Sequence, residues 1–296
     1  MTSNWSVHSK PDASSSQGGM ALLGSALAFS LMSLCVKHLG NRLPVAEILF
    51  SRALISLAIT QFLLAKEKVS PWGKNKSLLF LRGLLGTGAL FCVFYALGTL
   101  PLSVATVIQY TYPTFTAIAA WFFLKERIKR RIIFAVILGW IGIVIVTRPE
   151  WITKSTDVLP TVPILIAIAG AILTSFAYIC VRKLSRSEHE LVIIYYFPLI
   201  SIPICLPFLL DNFVQPIGLE WLWIIGTGLF TQIGQLGITK GFKMINAAKA
   251  STINYCQVLF AIFWGVLFFN EPIDIWVSIG AICVLIGTLI SLSSRK

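Results

Sequence analysis

The 296 residues are 56% apolar and only 12% charged, about half the charge of a soluble globular chain. The net charge of +12 would suit nucleic acid. However, the basic residues sit in short intervals between long apolar runs, where topology and anionic lipid headgroups account for them.

The opening MTSNWSVHSKPDASSSQGG is rich in Ser and Gly and has no apolar h-region. It is expected to be a disordered cytoplasmic tail (1–19), not a signal peptide. Ten apolar stretches follow, at 20–38, 45–64, 78–97, 103–124, 131–147, 162–181, 190–210, 221–239, 249–269 and 274–292. Each is near the ~20 residues a helix needs to cross a bilayer. Pro44 opens the second and Pro71-Trp72-Gly73 marks a turn after it. Leu100-Pro101-Leu102 joins the third and fourth without a charge, and Arg148-Pro149-Glu150 ends the fifth. Residues 148–161 form a polar linker, which divides a first repeat at 20–147 from a second at 162–292, with 293–296 as the C-terminus. Pro113 is expected to kink span four, and Pro198, Pro203 and Pro207 span seven.

The basic residues divide between alternate loops. Lys10; Lys66, Lys68, Lys74, Lys76 and Arg82; Lys125, Arg127, Lys129, Arg130 and Arg131; Arg182, Lys183 and Arg186; Lys240, Lys243 and Lys249; and Arg295 and Lys296 fall on one side. Lys37, Arg42, Arg148 and Lys154 fall on the other, and Arg52 lies inside a span. The positive-inside rule then places both termini in the cytoplasm, with an even number of spans. Cys35, Cys92, Cys180, Cys205, Cys256 and Cys283 are scattered and read as small buried hydrophobes.

The halves are related. Gly86-Thr87-Gly88 recurs as Gly226-Thr227-Gly228, and 95–128 aligns without gaps on 240–273. The identities there include Ala105/Ala250, Tyr110/Tyr255, Phe123/Phe268 and Glu126/Glu271. Five spans per half make the second half inverted. The loop after span four is strongly basic and its counterpart after span nine is not, as an inverted repeat requires.

A series of motifs resembles the drug/metabolite transporter superfamily, EamA type, across about residues 20–292. In the first half these are Pro44-Val45-Ala46-Glu47 with Arg52, Arg82-Gly83, Tyr95-Ala96-Leu97, Leu100-Pro101-Leu102-Ser103, Tyr112-Pro113, Leu124-Lys125-Glu126-Arg127 and Gly139-Trp140-Ile141-Gly142. In the second half they are Ala247-Ala248-Lys249-Ala250-Ser251 and Asn270-Glu271-Pro272. Arg148-Pro149 is most similar to the subgroup that includes S-adenosylmethionine carriers. Span seven, with Tyr195-Tyr196-Phe197-Pro198, departs from the family's Pro…Arg signature. The resemblance implies an all-α membrane protein, with ten helices as two inverted five-helix repeats around a central cavity, working as a secondary carrier.

The residues agree on what is absent. There is no Gly-x-x-x-x-Gly-Lys-Ser/Thr loop for ATP and no His-x-x-x-His for a metal, so no cofactor is expected. All twelve acidic residues fall in loops or at span ends. Without a midspan carboxylate to relay protons, exchange or facilitated transport is favoured. The alternatives are a proton-coupled exporter, or an intramembrane enzyme acting on lipid-linked substrates.

Arg52 is the sharpest site candidate. A guanidinium near the midplane costs at least ~2.5–3.5 kcal/mol and must face protein or water. It either binds an anionic substrate group or pairs with Glu47. Lys37 is a ligand or an interfacial snorkelling residue. Tyr110 and Tyr255, at equivalent repeat positions, lead a second set with Gln109, Asn254, Gln257, Gln232, Gln235 and Tyr178. Polar side chains in bundles also serve simply to hold helices together. The expected substrates are amino acids or derivatives and S-adenosylmethionine-like or nucleoside-like compounds. The expected partners are the substrate and the lipid bilayer, without nucleic acid; monomer and homodimer both fit. The expected location is a bacterial-type inner membrane.

Overall fold

In a computed structural model, the described residues are 12–124, 130–147, 159–184, 187–244, 256–271 and 275–292. They form eleven helices and no strands: α1 (Asp12–Leu39), α2 (Val45–Glu67), α3 (Lys76–Thr99), α4 (Leu102–Gln109), α5 (Tyr112–Leu124), α6 (Arg130–Thr147), α7 (Thr161–Leu184), α8 (Glu190–Asn212), α9 (Glu220–Met244), α10 (Cys256–Phe269) and α11 (Ile275–Leu292). Helices α4 and α5 together make one span, so the order matches ten spans. Helices α1, α2, α3, α7 and α8 are each long and apolar enough alone to cross a membrane. One expectation changes: helix α1 starts at Asp12, so the stretch expected to be disordered through residue 19 is helical from Asp12 onward.

Span four breaks where its sequence says it must. Pro113 brings no N–H to bond the Gln109 carbonyl and disfavours helical geometry in the residue before it. Helix α4 ends at Gln109, and Thr111 covers the break by donating its hydroxyl to the Ile108 carbonyl at 2.7 Å. Span seven stays one helix, because α8 runs without a break through Pro198, Pro203 and Pro207. In a bilayer, neighbouring helices and hydroxyl side chains take up the backbone groups that a proline frees.

Around an apolar core, large apolar side chains also cover the outside, and polar ones lie within. Phe62, Phe80, Leu165, Leu210 and Phe263 are exposed, whereas Ser30, Arg52, Thr60, Thr87, Ser201 and Thr231 are buried. This is the arrangement lipid demands, with apolar side chains outward and polar groups satisfied within.

The helix pairing expresses the repeat. The most extensive pairs are α1 with α9, α3 with α7, α6 with α11, and α2 with α8. Exchanging the halves turns the first pair into the second and returns each of the others to itself. Small residues allow the close approach. A Cβ on Gly237 would lie 2.7 Å from the Ala21 carbonyl, and one on Gly170 would lie 2.9 Å from Cys92 Cβ. Between them, Ser25 donates to the Gly234 carbonyl at 2.7 Å. This is how membrane helices gain contact without a hydrophobic drive.

The inversion follows from which ends meet. Gly40, just past α1, faces Gly98 near the end of α3, so these two C-termini share one end of the bundle. At the other end, the Asn75 N–H before α3 donates to Glu188, just past α7, at 2.7 Å. Helices α1 and α7, the first of each half, therefore run in opposite directions.

Candidate functional site

A cavity of about 120 Å³ lies between the halves. Its wall takes Phe29, Met32 and Ser33 from α1, Arg52 from α2, and Leu90, Val93 and Leu97 from α3. The broken fourth span gives Thr106, Gln109, Tyr110 and Tyr112, and the second half gives Thr174, Tyr178, Gln235 and Gln257. The break after α4 thus turns a sequence irregularity into a polar wall.

Arg52 is 1% exposed. Its Nε donates to Thr231 Oγ1 of α9 at 2.9 Å, and its guanidinium carbon sits 4.8 Å from the centroid of the Phe197 ring. Its Nη1 is buried without a partner. The alternative pairing with Glu47 is not formed. Glu47 Oε2 instead accepts the Val214 N–H at 3.0 Å, while its Oε1 is buried without a partner. Among the described residues no carboxylate pairs with Arg52.

Arg82, which its sequence position groups with the cytoplasmic loop residues, lies in the packed interior. It is 6% exposed within α3, with its guanidinium carbon also 4.8 Å from the Phe197 centroid. Its Nε and Nη1 are buried and unpartnered. One ring therefore serves two guanidinium groups. Phe197 fits there because α3 has no side chain at Gly86, where an added Cβ would stand 2.7 Å from the ring.

The polar wall is partly self-satisfied. Tyr110 donates to Gln257 Oε1 at 2.7 Å, joining the two halves. Gln109 Nε2 donates to Thr174 at 3.0 Å, and Gln109 Oε1 is buried with no partner. The Tyr112 ring lies 5.8 Å from that of Tyr110 and 5.2 Å from that of Tyr178.

Six of the ten candidates therefore share this cavity: Arg52, Gln109, Tyr110, Tyr178, Gln235 and Gln257. Gln232 does not line it. Gln232 accepts from Ser56 at 2.7 Å and donates to Thr60 at 3.0 Å, tying α2 to α9. Asn254 and Tyr255 lie outside the described residues. Thr231 and Thr174 escaped the sequence search, because a threonine in a span most often bonds its own helix backbone.

Lys37 lies elsewhere, at the end of the bundle where α1 finishes. Its Nζ donates to the Leu100 carbonyl at 2.6 Å and is 3.5 Å from Glu271 Oε1. Glu271 also accepts the Leu102 N–H at 2.7 Å and the Ser103 hydroxyl at 3.2 Å. A carboxylate there meets the unpaired N–H groups and positive dipole end of α4. At the same end, Arg42 donates through Nε to Glu220 Oε1 at 2.6 Å, and through Nη2 to the Gln215 carbonyl at 2.8 Å. Hydrogen bonds from Arg42, helped by the Ile217 N–H, hold the Glu220 carboxyl down at about 2. Two charged ties between the halves thus stand at one end of the bundle.

Comparisons with known proteins agree with this architecture. The "Pseudopaline exporter CntI" of Pseudomonas aeruginosa is 29% identical over 278 residues, covering 94% of this chain and 95% of its own. "Solute carrier family 35 member G1" of Mus musculus is 29% identical, covering 89% of this chain and 75% of its own. A solved crystal structure with 18% sequence identity shares the fold, with a TM-score of 0.64 over 95% of this chain and 97% of the other. Residues 16–148 and 161–293 each match the EamA-like transporter family. The chain is an integral, multi-pass membrane protein that belongs to the EamA-like transporter family of the drug/metabolite transporter superfamily.

Proposed function

We propose that the chain is a secondary carrier, not an enzyme, moving small amino-acid-like metabolites by alternating access. The observation that carries this reading is Arg52, a buried guanidinium on the wall of a cavity between inverted repeats, with no carboxylate paired to it among the described residues. Burying a charge without a counter-charge is costly, and a substrate carboxylate supplies one. Gln109 Oε1 is an unpaired acceptor on the same wall, suited to a substrate N–H. The Tyr110, Tyr112 and Tyr178 rings offer faces for an onium group or a nucleobase, which keeps S-adenosylmethionine-like and nucleoside-like compounds within the class.

Both termini face the cytoplasm of a bacterial-type inner membrane, because the basic loops mark that side. The Lys37–Glu271 and Arg42–Glu220 ties then close the outer mouth. Exchange or facilitation is favoured, since no carboxylate lines the cavity among the described residues. A second reading, proton-coupled export, draws on Glu47, which is 2% exposed with one oxygen unpartnered. The relative named as a pseudopaline exporter is in keeping with outward movement of a metabolite.

Counterflow in proteoliposomes tests the proposal. A panel of labelled amino-acid derivatives and nucleoside-like compounds should include one whose uptake saturates and is accelerated by internal unlabelled compound more than by a pH gradient. Uptake driven strictly by a proton gradient and indifferent to internal compound replaces exchange with the Glu47 reading. Ohmic current without saturation overturns the carrier.

A further inference from the structure

The Phe197 ring has a guanidinium carbon 4.8 Å from its centroid twice over, from Arg52 on α2 and from Arg82 on α3. Two groups so placed lie within about 10 Å of each other, about one Debye length at 0.1 M salt, and screening is weaker still in a dry core. Their mutual repulsion therefore persists. Three of their nitrogens, Arg52 Nη1 and Arg82 Nε and Nη1, are buried with no hydrogen-bond partner. Among the described residues neither arginine has a carboxylate partner. Arg52 reaches the cavity wall directly. Arg82 is not part of that wall; it reaches the site through its field, from beside the shared ring and within electrostatic reach of Tyr178, which does line the wall.

A single substrate carboxylate neutralises one of these two charges and leaves the other. We infer that the cavity selects small organic dianions carrying their charges on separate groups, with Arg52 binding one and Arg82 as the specificity-determining cation for the second. This rests on the carrier reading above and narrows its substrate class to dicarboxylates and dicarboxylic amino-acid derivatives. Separate groups are required because the two cations stand on different helices, each 4.8 Å from the centroid of the same ring. A cavity of about 120 Å³ suits a short chain of this kind.

The test uses thermal stabilisation of the purified full chain at pH 7, where both carboxylates of each probe are ionised. The probes are the linear dicarboxylates of three to six carbons, the monoamide of each, and inorganic phosphate. A monoamide keeps the shape and removes one charge. Wild type should bind its best dicarboxylate about tenfold or more tighter than the matching monoamide, and tighter than phosphate. Arg82→Gln should collapse that ratio towards one while monoamide binding survives, and Arg82→Lys should restore much of it. Arg52→Gln should abolish binding of both.

Equal binding of dicarboxylate and monoamide by wild type, both lost in Arg52→Gln, overturns the two-charge inference and leaves the Arg52 site standing. Phosphate binding as tight as the best dicarboxylate overturns the separate-group geometry. Binding that survives Arg52→Gln overturns both. A wild type that binds none of the probes also rejects the inference, and the wild-type comparison decides even if Arg82→Gln does not fold.

Discussion

Tyr110 of the first repeat donates its phenolic proton to Gln257 of the second at 2.7 Å, on the wall of the cavity that the two repeats enclose. The proposed alternating access requires contacts across this boundary to form and break during the cycle, and this one is direct. A hydrogen bond of this kind is worth about 1 kcal/mol net, or roughly fivefold in an equilibrium. Tyr110→Phe keeps the ring and removes the donor. It should leave folding intact and shift the population away from this conformation by about that factor. The measurement is the rate at which a cysteine at Ser33, on the cavity wall, reacts with a soluble maleimide in a background free of the six native cysteines.

The Lys37–Glu271 tie is predicted to act as a latch on the same equilibrium. Glu271 serves Lys37, Leu102 and Ser103 together, so its loss strands all three. Glu271→Gln should increase labelling of a cysteine at Ser103 from the side of the membrane that Lys37 faces. Adding Lys37→Met should recover part of the closure, because removing both charges leaves no stranded cation. If the single and double variants label alike, charge pairing plays no part in the closure.

The Arg42–Glu220 tie sets a pH window with a definite sign. The Glu220 carboxyl is held at about 2, below the ordinary glutamate value of ~4.3. Its stabilisation is therefore fully present above ~4.3 and is lost as pH falls from there through about 2. The exposed setting and salt screening keep the effect small. Melting temperature should be insensitive to this pair between pH 5 and 8 and should fall more steeply below pH 4 in wild type than in Glu220→Gln. Parallel acid profiles of the two proteins would rule the pair out.

Gly86→Ala should disturb the double-arginine arrangement without touching either arginine. The new methyl would stand 2.7 Å from the Phe197 ring, which must move. Overpacking of this kind costs about 1–3 kcal/mol. Substrate affinity should fall along with melting temperature, and trimming the ring with Phe197→Leu in the same protein should recover stability. Unchanged affinity in a folded Gly86→Ala protein would separate Phe197 from the site.

Orientation has its own test. Single cysteines at Asn75 and Ser187 should label only from the cytoplasm, and those at Asp157 and Asn212 only from outside. Labelling of Asn75 and Asp157 from the same side contradicts the ten-span inverted topology itself.

The spans were legible because lipid imposes a length and a composition on them, and the two halves because charge alternates with topology. Arg52 was legible for the same reason, as a lone cation deep in an apolar run. Arg82 was not, because it stands close to the basic start of its span, where a cation ordinarily marks topology. Its burial depends on Phe197, Gly86 and the packing of α3 on α8, which are far apart in sequence. Gln232 and Gln235 show the reverse difficulty. Three residues apart on one helix, they looked equivalent, yet one ties helices together and the other lines the cavity. Helix α4 ends just before Pro113, whereas three prolines sit inside the continuous α8. A proline removes a donor, but its neighbours decide whether the helix parts.

The internal repeat predicts a sequence counterpart to the Lys37–Glu271 latch, with its acidic residue outside the described residues. Glu271 aligns with Glu126, and Arg182 holds in the last turn of α7 the place that Lys37 holds in the last turn of α1. If that counterpart forms when the repeats exchange roles, a protein built from two inverted copies of one plan would carry the same lock at both doors, cut from the same pattern and facing opposite ways. Its two resting states would then be near images of each other. Direction of transport would become a matter of which lock is the stronger, so that a few charge substitutions could turn an importer into an exporter without redesigning the chamber between them.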